Sequence, residues 1–225
     1  TSELVAQAIL KAATQCKMPE GIFSHVYGAS FEVGQALVEH PHTRAVGFTG
    51  SYLGGRQLFD WANHRSKPIP VFAEMSSINP VFLLPGKLKE SATETAKMYA
   101  SSITLGVGQF CTNPGLIIGI EGQELQHFIQ VLGETIKDVA PGTMLHMGIF
   151  KNYVERRGNA LSQEDVETIA VSVKDPHLNE AAPTVASTTG QAFLNNPVLH
   201  QEVFGPYSLV VRCKDTAEMV EGTKH

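Results

Sequence analysis

At 225 residues, 43% hydrophobic and 17% charged, the chain can hold one large domain or two modest ones, with the composition of an ordered globular protein. Its 17 basic and 22 acidic residues give a net charge of -5, a balance that favours neither nucleic acid nor an anionic membrane surface as partner. No apolar run reaches the ~18 residues of a membrane span, and Thr1-Ser2-Glu3-Leu4 has neither the basic nor the apolar region of a signal peptide.

Leu4, Val5, Ala8, Ile9 and Ala12 recur at helical spacing and predict a first helix with that face inward, capped by Ser2 or Thr1. Ile22 to Tyr27 reads as a strand ended by Gly28, and Ser30 to Glu39 as a helix with Val33 and Leu37 inward. A short strand from Ala45 to Phe48 enters a helix from Ser51 to His64 through Gly50. Ile69 to Phe72 is a further strand. This alternation with short turns indicates a parallel sheet flanked by helices, and ligands of such sheets bind beyond the carboxyl ends of the strands.

Past Glu74 the chain reads as a strand from Val81 to Leu84, a helix from Lys89 to Ile103, and a strand from Leu116 to Ile120. Leu125, Phe128, Ile129, Leu132 and Ile136 then mark an amphipathic helix. Lys151 to Leu161 is helical, and Thr168 to Val173 and Leu209 to Arg212 are extended. The chain is α/β throughout, with a domain boundary near Met75 to Pro80 that separates residues 1–75 from 76–225.

The chemistry concentrates in four places. Cys111 follows Gly106 and Gly108, which allow close backbone approach, and precedes the restraining turn Thr112-Asn113-Pro114-Gly115. A thiol acts as a nucleophile only as the thiolate, which needs a nearby base or a helix N-terminus. An isolated free cysteine is more often a small buried hydrophobe, and that is the reading for Cys16 and Cys213. The three cysteines lack CxxC spacing, so they suggest no disulfide framework or zinc site and fit a reducing, cytoplasmic compartment. Glu74 stands in the apolar run Val71-Phe72-Ala73-Glu74-Met75, where burial would raise its pKa towards that of a neutral-pH base. Otherwise it is a strand-end carboxylate that reaches solvent.

Gly50, Ser51 and Gly55 frame a strand-to-helix turn whose backbone amides suit phosphate, although the spacing is not GxGxxG and an ordinary tight connection would look the same. Glu202 and Phe204, before Gly205-Pro206, suit a ribose diol and an aromatic ring, or else a surface charge beside a core ring. His40-x-His42 lacks further ligands, and no metal is expected.

In combination these segments resemble the aldehyde dehydrogenase superfamily over essentially the whole chain. Phe48-Thr49-Gly50-Ser51 to Gly55 resembles its cofactor turn, and Glu74 to Asn79-Pro80 its catalytic glutamate segment. Gly108-Gln109-Phe110-Cys111 resembles its nucleophile loop, and Glu202-Val203-Phe204-Gly205-Pro206 its nicotinamide-ribose segment. Glu74 precedes Cys111 by 37 positions and Cys111 precedes Glu202 by 91, separations close to the family's pattern. Ala73 to Pro80 and Gln109 to Gly115 look most like the branch of 2,5-dioxovalerate (2-oxoglutarate semialdehyde) and NADP-dependent fatty aldehyde dehydrogenases. Two departures stand out: Ser76-Ser77 replaces a glycine pair, and Gln201 replaces a glutamate.

The resemblance implies a partial Rossmann-like cofactor domain over 1–75 and a catalytic domain over 76–225, with NADP or NAD as cofactor and a small aldehyde as substrate. It implies Cys111 as nucleophile through a thiohemiacetal and a thioester, Glu74 as the base for water, and Gly50, Ser51, Gly55, Glu202 and Phe204 at the cofactor. It further implies a homo-oligomeric parent enzyme, and an internal piece of it here that is inactive or nearly so by itself. Long-chain aldehyde oxidation, acyl transfer to coenzyme A, and a non-catalytic protein on the same fold are the alternatives.

Overall fold

Helices and strands are interspersed along the chain in a computed structural model that describes residues 2–28 and 30–224. Thr1, one of the two expected caps, lies outside the described residues. The chain divides into two units that meet at Ser76 and Ser77.

The first unit contains α1 (Ser2–Gln15), α2 (Glu32–Glu39), β1 (Val46–Gly50), α3 (Tyr52–Asn63) and β2 (Val71–Met75). β1 and β2 pair in parallel, from Val46 opposite Val71 to Gly50 opposite Met75, with α3 as the crossover that parallel strands require. A Cβ on Gly55 would run into the Met75 side chain, so this glycine lets α3 lie close on β2. Arg65 donates to the carbonyls of Val38 (2.8 Å), His40 (3.0 Å) and Thr43 (3.1 Å), which ties down the end of α2 and the turn after it.

Three expectations for this unit are corrected. Residues 22–27 form no strand: Gly21 turns the chain at φ 78° and Ile22, Val26 and Tyr27 are exposed, so neither a ladder nor burial supports extended pairing. α1 forms, but its leucine face points outward, with Leu4 71% exposed; small Ala6 is the buried contact. On α2 Val38 is buried and Leu37 half exposed, a face rotated by one residue from the expected one.

The second unit contains β3 (Pro80–Leu83), α4 (Pro85–Thr104), β4 (Leu116–Ile120), α5 (Gln123–Asp138), β5 (Gly142–Thr143) and α6 (Met147–Leu161). There follow β6 (Glu167–Val171), β7 (Glu180–Ala181), β8 (Thr184–Thr189), α7 (Gly190–Asn195), β9 (Tyr207–Cys213) and α8 (Thr216–Glu221). Five strands form a sheet in the order β3-β4-β9-β8-β6, parallel except for β6 against β8. Side chains of successive residues on a strand face opposite ways, and both faces here are buried. Ile117, Val185 and Val210 pack with α4 and α5, including Ala96, Ile103, Phe128 and Leu132. Leu116, Ile118, Ala186, Leu209 and Val211 pack on the other face with Tyr153 of α6, Phe193 of α7 and Met219 of α8. Apolar runs without strict alternation, such as Leu116-Ile117-Ile118, suit a strand covered on both faces. No helix among the described residues is long and apolar enough to cross a membrane.

Candidate active site

The register of β3, β4 and β9 determines which loops meet. Neighbouring parallel strands start at the same edge of the sheet, so Ser77–Asn79, Gly108–Gly115 and Gln201–Pro206, each leading into its strand, are brought side by side. The ladder continues through them: Gly115 N–H donates to the Ile78 carbonyl (2.9 Å), and Leu209 N–H to the Gly115 carbonyl (3.0 Å). Ligands beyond the carboxyl ends were the expectation from the sheet pattern. In this unit the candidate residues lie instead at the amino ends of the strands, because the motifs precede β4 and β9 rather than follow them.

After α4 the chain turns through Leu105–Gly108, a 3-10 segment in which Gly106 (φ 53°), Val107 (φ 61°) and Gly108 (φ 63°) are left-handed. Only glycine adopts this region without strain, and Val107 is an outlier for a β-branched residue. A Cβ on Gly106 would strike the Phe110 ring, and one on Gly108 would strike the Gly205 backbone. Gly108 thus allows the cysteine loop to lie directly on the segment before β9. The Gln109 side chain accepts from Leu145 N–H (2.8 Å) and donates to the Gly106 carbonyl (3.2 Å).

Cys111 itself is exposed, which sets it apart from a packing cysteine. Its carbonyl accepts from Asn79 Nδ2 at 2.7 Å, and the same nitrogen donates to the Asn113 carbonyl at 2.9 Å. Asn79 Oδ1 accepts from Ser77 Oγ at 2.9 Å. Asn113 Nδ2 donates to the Gly205 carbonyl at 3.1 Å, and its N–H to the Phe110 carbonyl at 3.1 Å. Among the described residues the Cys111 N–H makes no hydrogen bond and remains a free donor.

Glu202 and Phe204 are half-buried beside this loop. With Gly108, Phe110, Asn113 and Tyr207 they line a cavity of about 20 Å³. Arg156 of α6 donates to the Gln201 side chain and holds the start of the segment. At its end Gly205 takes φ 149°, where a Cβ would strike the Tyr153 ring, and Tyr153 donates to the Ala182 carbonyl at 2.7 Å. Burial pushes the Tyr153 and Tyr207 hydroxyls above their ordinary pKa, so both are neutral donors. Tyr207 Oη and Asn113 Oδ1 are buried without a protein partner among the described residues, and both residues line the cavity.

The remaining sequence-predicted residues belong to the first unit and come together at the carboxyl ends of β1 and β2. Gly50 ends β1, and Ser51 caps α3 by accepting from Gly54 N–H at 3.2 Å. Ser76, left-handed at φ 63°, donates its N–H to the Gly50 carbonyl (3.0 Å) and accepts from Tyr52 N–H (3.3 Å). Of the first-turn amides, Leu53 N–H is free among the described residues. Glu74, opposite Thr49 in the ladder, is exposed, as is Phe72 on the same side of β2. Within its own unit Glu74 is therefore the solvent-reaching carboxylate of the two readings, not the buried one. His40 and His42 lie edge to face at 5.2 Å, and no group of three His, Cys, Asp or Glu among the described residues could hold a metal.

Of the two cysteines expected to be packing residues, Cys213 is one and Cys16 is not. Cys213 is buried at the end of β9, where burial and the nearby Glu218 and Asp215 push its thiol up to about 11. Cys16 is exposed just beyond α1, so packing is no account of it. Sequence reasoning missed Asn113, Tyr153, Gln109 and Tyr207 as supports of the site. The missed residues lie in or beside the recognised motifs or carry no local pattern, and only the fold shows what their side chains touch.

The site is thus an exposed thiol on a loop fixed by side-chain amides, at the edge of a parallel-rich sheet of an α/β fold. The Aldehyde dehydrogenase family pattern matches residues 1–223, and the chain belongs to that family. It is 44% identical over 219 residues to alpha-ketoglutaric semialdehyde dehydrogenase 2 of Azospirillum brasilense, covering 97% of this chain and 42% of that protein. It is 40% identical over 223 residues to alpha-ketoglutaric semialdehyde dehydrogenase of Acinetobacter baylyi, covering 99% of this chain and 42% of that protein. The chain thus spans less than half the length of these relatives. Among solved structures, proline utilization A from Bdellovibrio bacteriovorus superposes with a TM-score of 0.81 at 20% identity, over 98% of this chain and 24% of that one. Gamma-glutamyl-gamma-aminobutyraldehyde dehydrogenase from Burkholderia cenocepacia gives 0.78 at 19%, over 96% and 44%. At such identities the structures speak for the fold.

Proposed function

We propose that the chain carries the nucleophile and part of the cofactor site of an NAD(P)-dependent aldehyde dehydrogenase, with 2-oxoglutarate semialdehyde (2,5-dioxovalerate) as the aldehyde. The exposure of Cys111 on a loop held by Asn79, Asn113 and Gly108 carries the catalytic part of this reading. The 40–44% identity to two alpha-ketoglutaric semialdehyde dehydrogenases supports the substrate.

The residues present fit a dinucleotide. Leu53 N–H is a free donor in the first turn of α3, and Gly50 and Ser51 shape the turn before it. Such an amide favours a phosphate oxygen. Glu202 offers a half-buried carboxylate for a ribose diol, and Phe204 a ring face. The nicotinamide of a bound cofactor supplies the hydride acceptor for the oxidation.

Cys111 Sγ, as thiolate, attacks the aldehyde carbon and forms a C–S bond while the carbonyl π pair moves to oxygen. The free Cys111 N–H is the donor available to that oxyanion. Once the carbon is oxidised, the acyl group remains on Cys111 as a thioester. Glu74 is the base in this reading: it takes a proton from water, whose oxygen adds to the acyl carbon, and the C–S bond breaks to release carboxylate and restore the thiolate. Covalent attachment separates oxidation from hydrolysis, two steps that are each easier than one combined step. Retention of Glu74 favours hydrolysis over transfer to coenzyme A, and added coenzyme A is expected to leave the product unchanged.

The test measures reduced-cofactor formation by a polypeptide of the relatives' full length that contains this chain. NAD and NADP are each paired with 2,5-dioxovalerate and with a long-chain aldehyde. Cys111→Ala is expected to abolish turnover, and the best pair identifies cofactor and substrate. Turnover unchanged by Cys111→Ala removes the covalent mechanism.

A further inference from the structure

Asn79 sits in the turn before β3, 32 positions before Cys111, yet its side chain meets the Cys111 loop directly. The amide has one orientation that satisfies its neighbours. Two carbonyls, of Cys111 and Asn113, require donors from Nδ2, and the Ser77 hydroxyl requires an acceptor at Oδ1. A reversed amide would set oxygen against both carbonyls. The backbone of Asn79 is left-handed at φ 47°, a conformation that asparagine tolerates better than most residues. Its neighbour Ile78 anchors the far end of the same loop by accepting from Gly115 N–H.

Building on the reading of Cys111 as nucleophile, the geometry points to Asn79 as a positioning residue for the reaction. It fixes the Cys111 carbonyl on the side of β3, and so sets the peptide orientation from which the Cys111 side chain projects. With Asn113 fastened in turn to the Gly205 carbonyl, the amides of Asn79 and Asn113 tie the segments before β3, β4 and β9 into one frame. Asn79 touches no reacting atom; it acts through the Cys111 backbone. Misplacing a reacting group by about 1 Å costs on the order of 100-fold in rate, so loss of this anchor is read in kcat.

Two variants separate the amide from the turn. N79D keeps size and shape but turns the two donor contacts into oxygen against oxygen. N79G accepts φ 47° without strain and deletes the side chain. In the full-length polypeptide with NAD or NADP and 2,5-dioxovalerate, both are expected to lower kcat roughly 10- to 100-fold with KM within about threefold. Amide hydrogen exchange is expected to accelerate at Asn113 and Gly115 while β4 and β9 keep their protection. The inference is overturned if kcat stays within about threefold of wild type in both variants while Cys111→Ala is inactive. It is equally overturned if exchange at Asn113 and Gly115 is unchanged, or if it accelerates across β4 and β9 as well, the mark of a merely structural role. If Cys111→Ala retains turnover, the nucleophile reading fails and the positioning role of Asn79 in the reaction fails with it. Faster exchange confined to the loop would then still show that Asn79 anchors it.

Discussion

The three cysteines make a built-in comparison at the scale of single residues. Cys16 and Cys111 are exposed and Cys213 is buried. Thiol reagents near pH 8 are expected to modify two cysteines quickly and the third only on unfolding, which counting modified peptides by mass spectrometry checks. Three fast thiols would contradict the packing at the end of β9. Cys213 also makes stability depend on pH. Its thiol titrates near 11 in the folded chain against an ordinary 9.0, so between those values the unfolded chain has lost a proton that the folded chain keeps. The folded state binds more protons there, and its stability from this group, complete below pH 9, falls as pH rises towards 11, by at most about 1.4 kcal/mol per pH unit. Urea midpoints measured from pH 8 to 11 are expected to fall in wild type and to fall less in Cys213→Ala.

Among the elements, α5 was legible in the sequence because Leu125, Phe128, Ile129, Leu132 and Ile136 repeat at the helical period, and every one is buried. β8 was not legible. Thr184, Ser187 and Thr188 are fully buried in a central strand, and a run of hydroxyls has no apolar period to read. Thr188 donates to the Asp165 carbonyl, a partner that only the fold supplies. The Cys111 loop was recognisable from its residues, but its anchoring was not, since Asn79 and Gly205 lie far away in sequence. Gly108 is its most restrictive element. Gly108→Ala combines a left-handed backbone with a Cβ pressed onto Gly205, and roughly 2–4 kcal/mol of destabilisation is expected from denaturant unfolding. An effect below about 0.5 kcal/mol would mean that the two segments are not packed as described.

For the molecule as a whole, apolar burial is unequal. Both extensive clusters belong to residues 77–224. Among the described residues of the first unit, the buried apolar side chains are Ala6, Val38 and Ala62. Protection from hydrogen exchange follows buried packing, so amides of α1 and α2 are expected to exchange at least about tenfold faster than those of β4 and β9. Equal protection would show that another source of stability acts on the first unit. The sequence conveyed the α/β character because strands and helices have different periods. The exposure of Glu74 was not legible, since a carboxylate in an apolar run fits either side of a strand until its neighbours are known.

The close approach of Gly108 to Gly205 also bears on how the site can be exchanged between proteins. Adjacent parallel strands run about 4.8 Å apart, so β4 and β9 fix the distance between two motifs however much chain is spooled between them. Each motif is shaped to the bare backbone of the other. A graft that imports a foreign cysteine loop alone would meet an ill-fitting wall. The transplantable piece is the matched pair, and substitutions in one half are tolerated only as the other half permits.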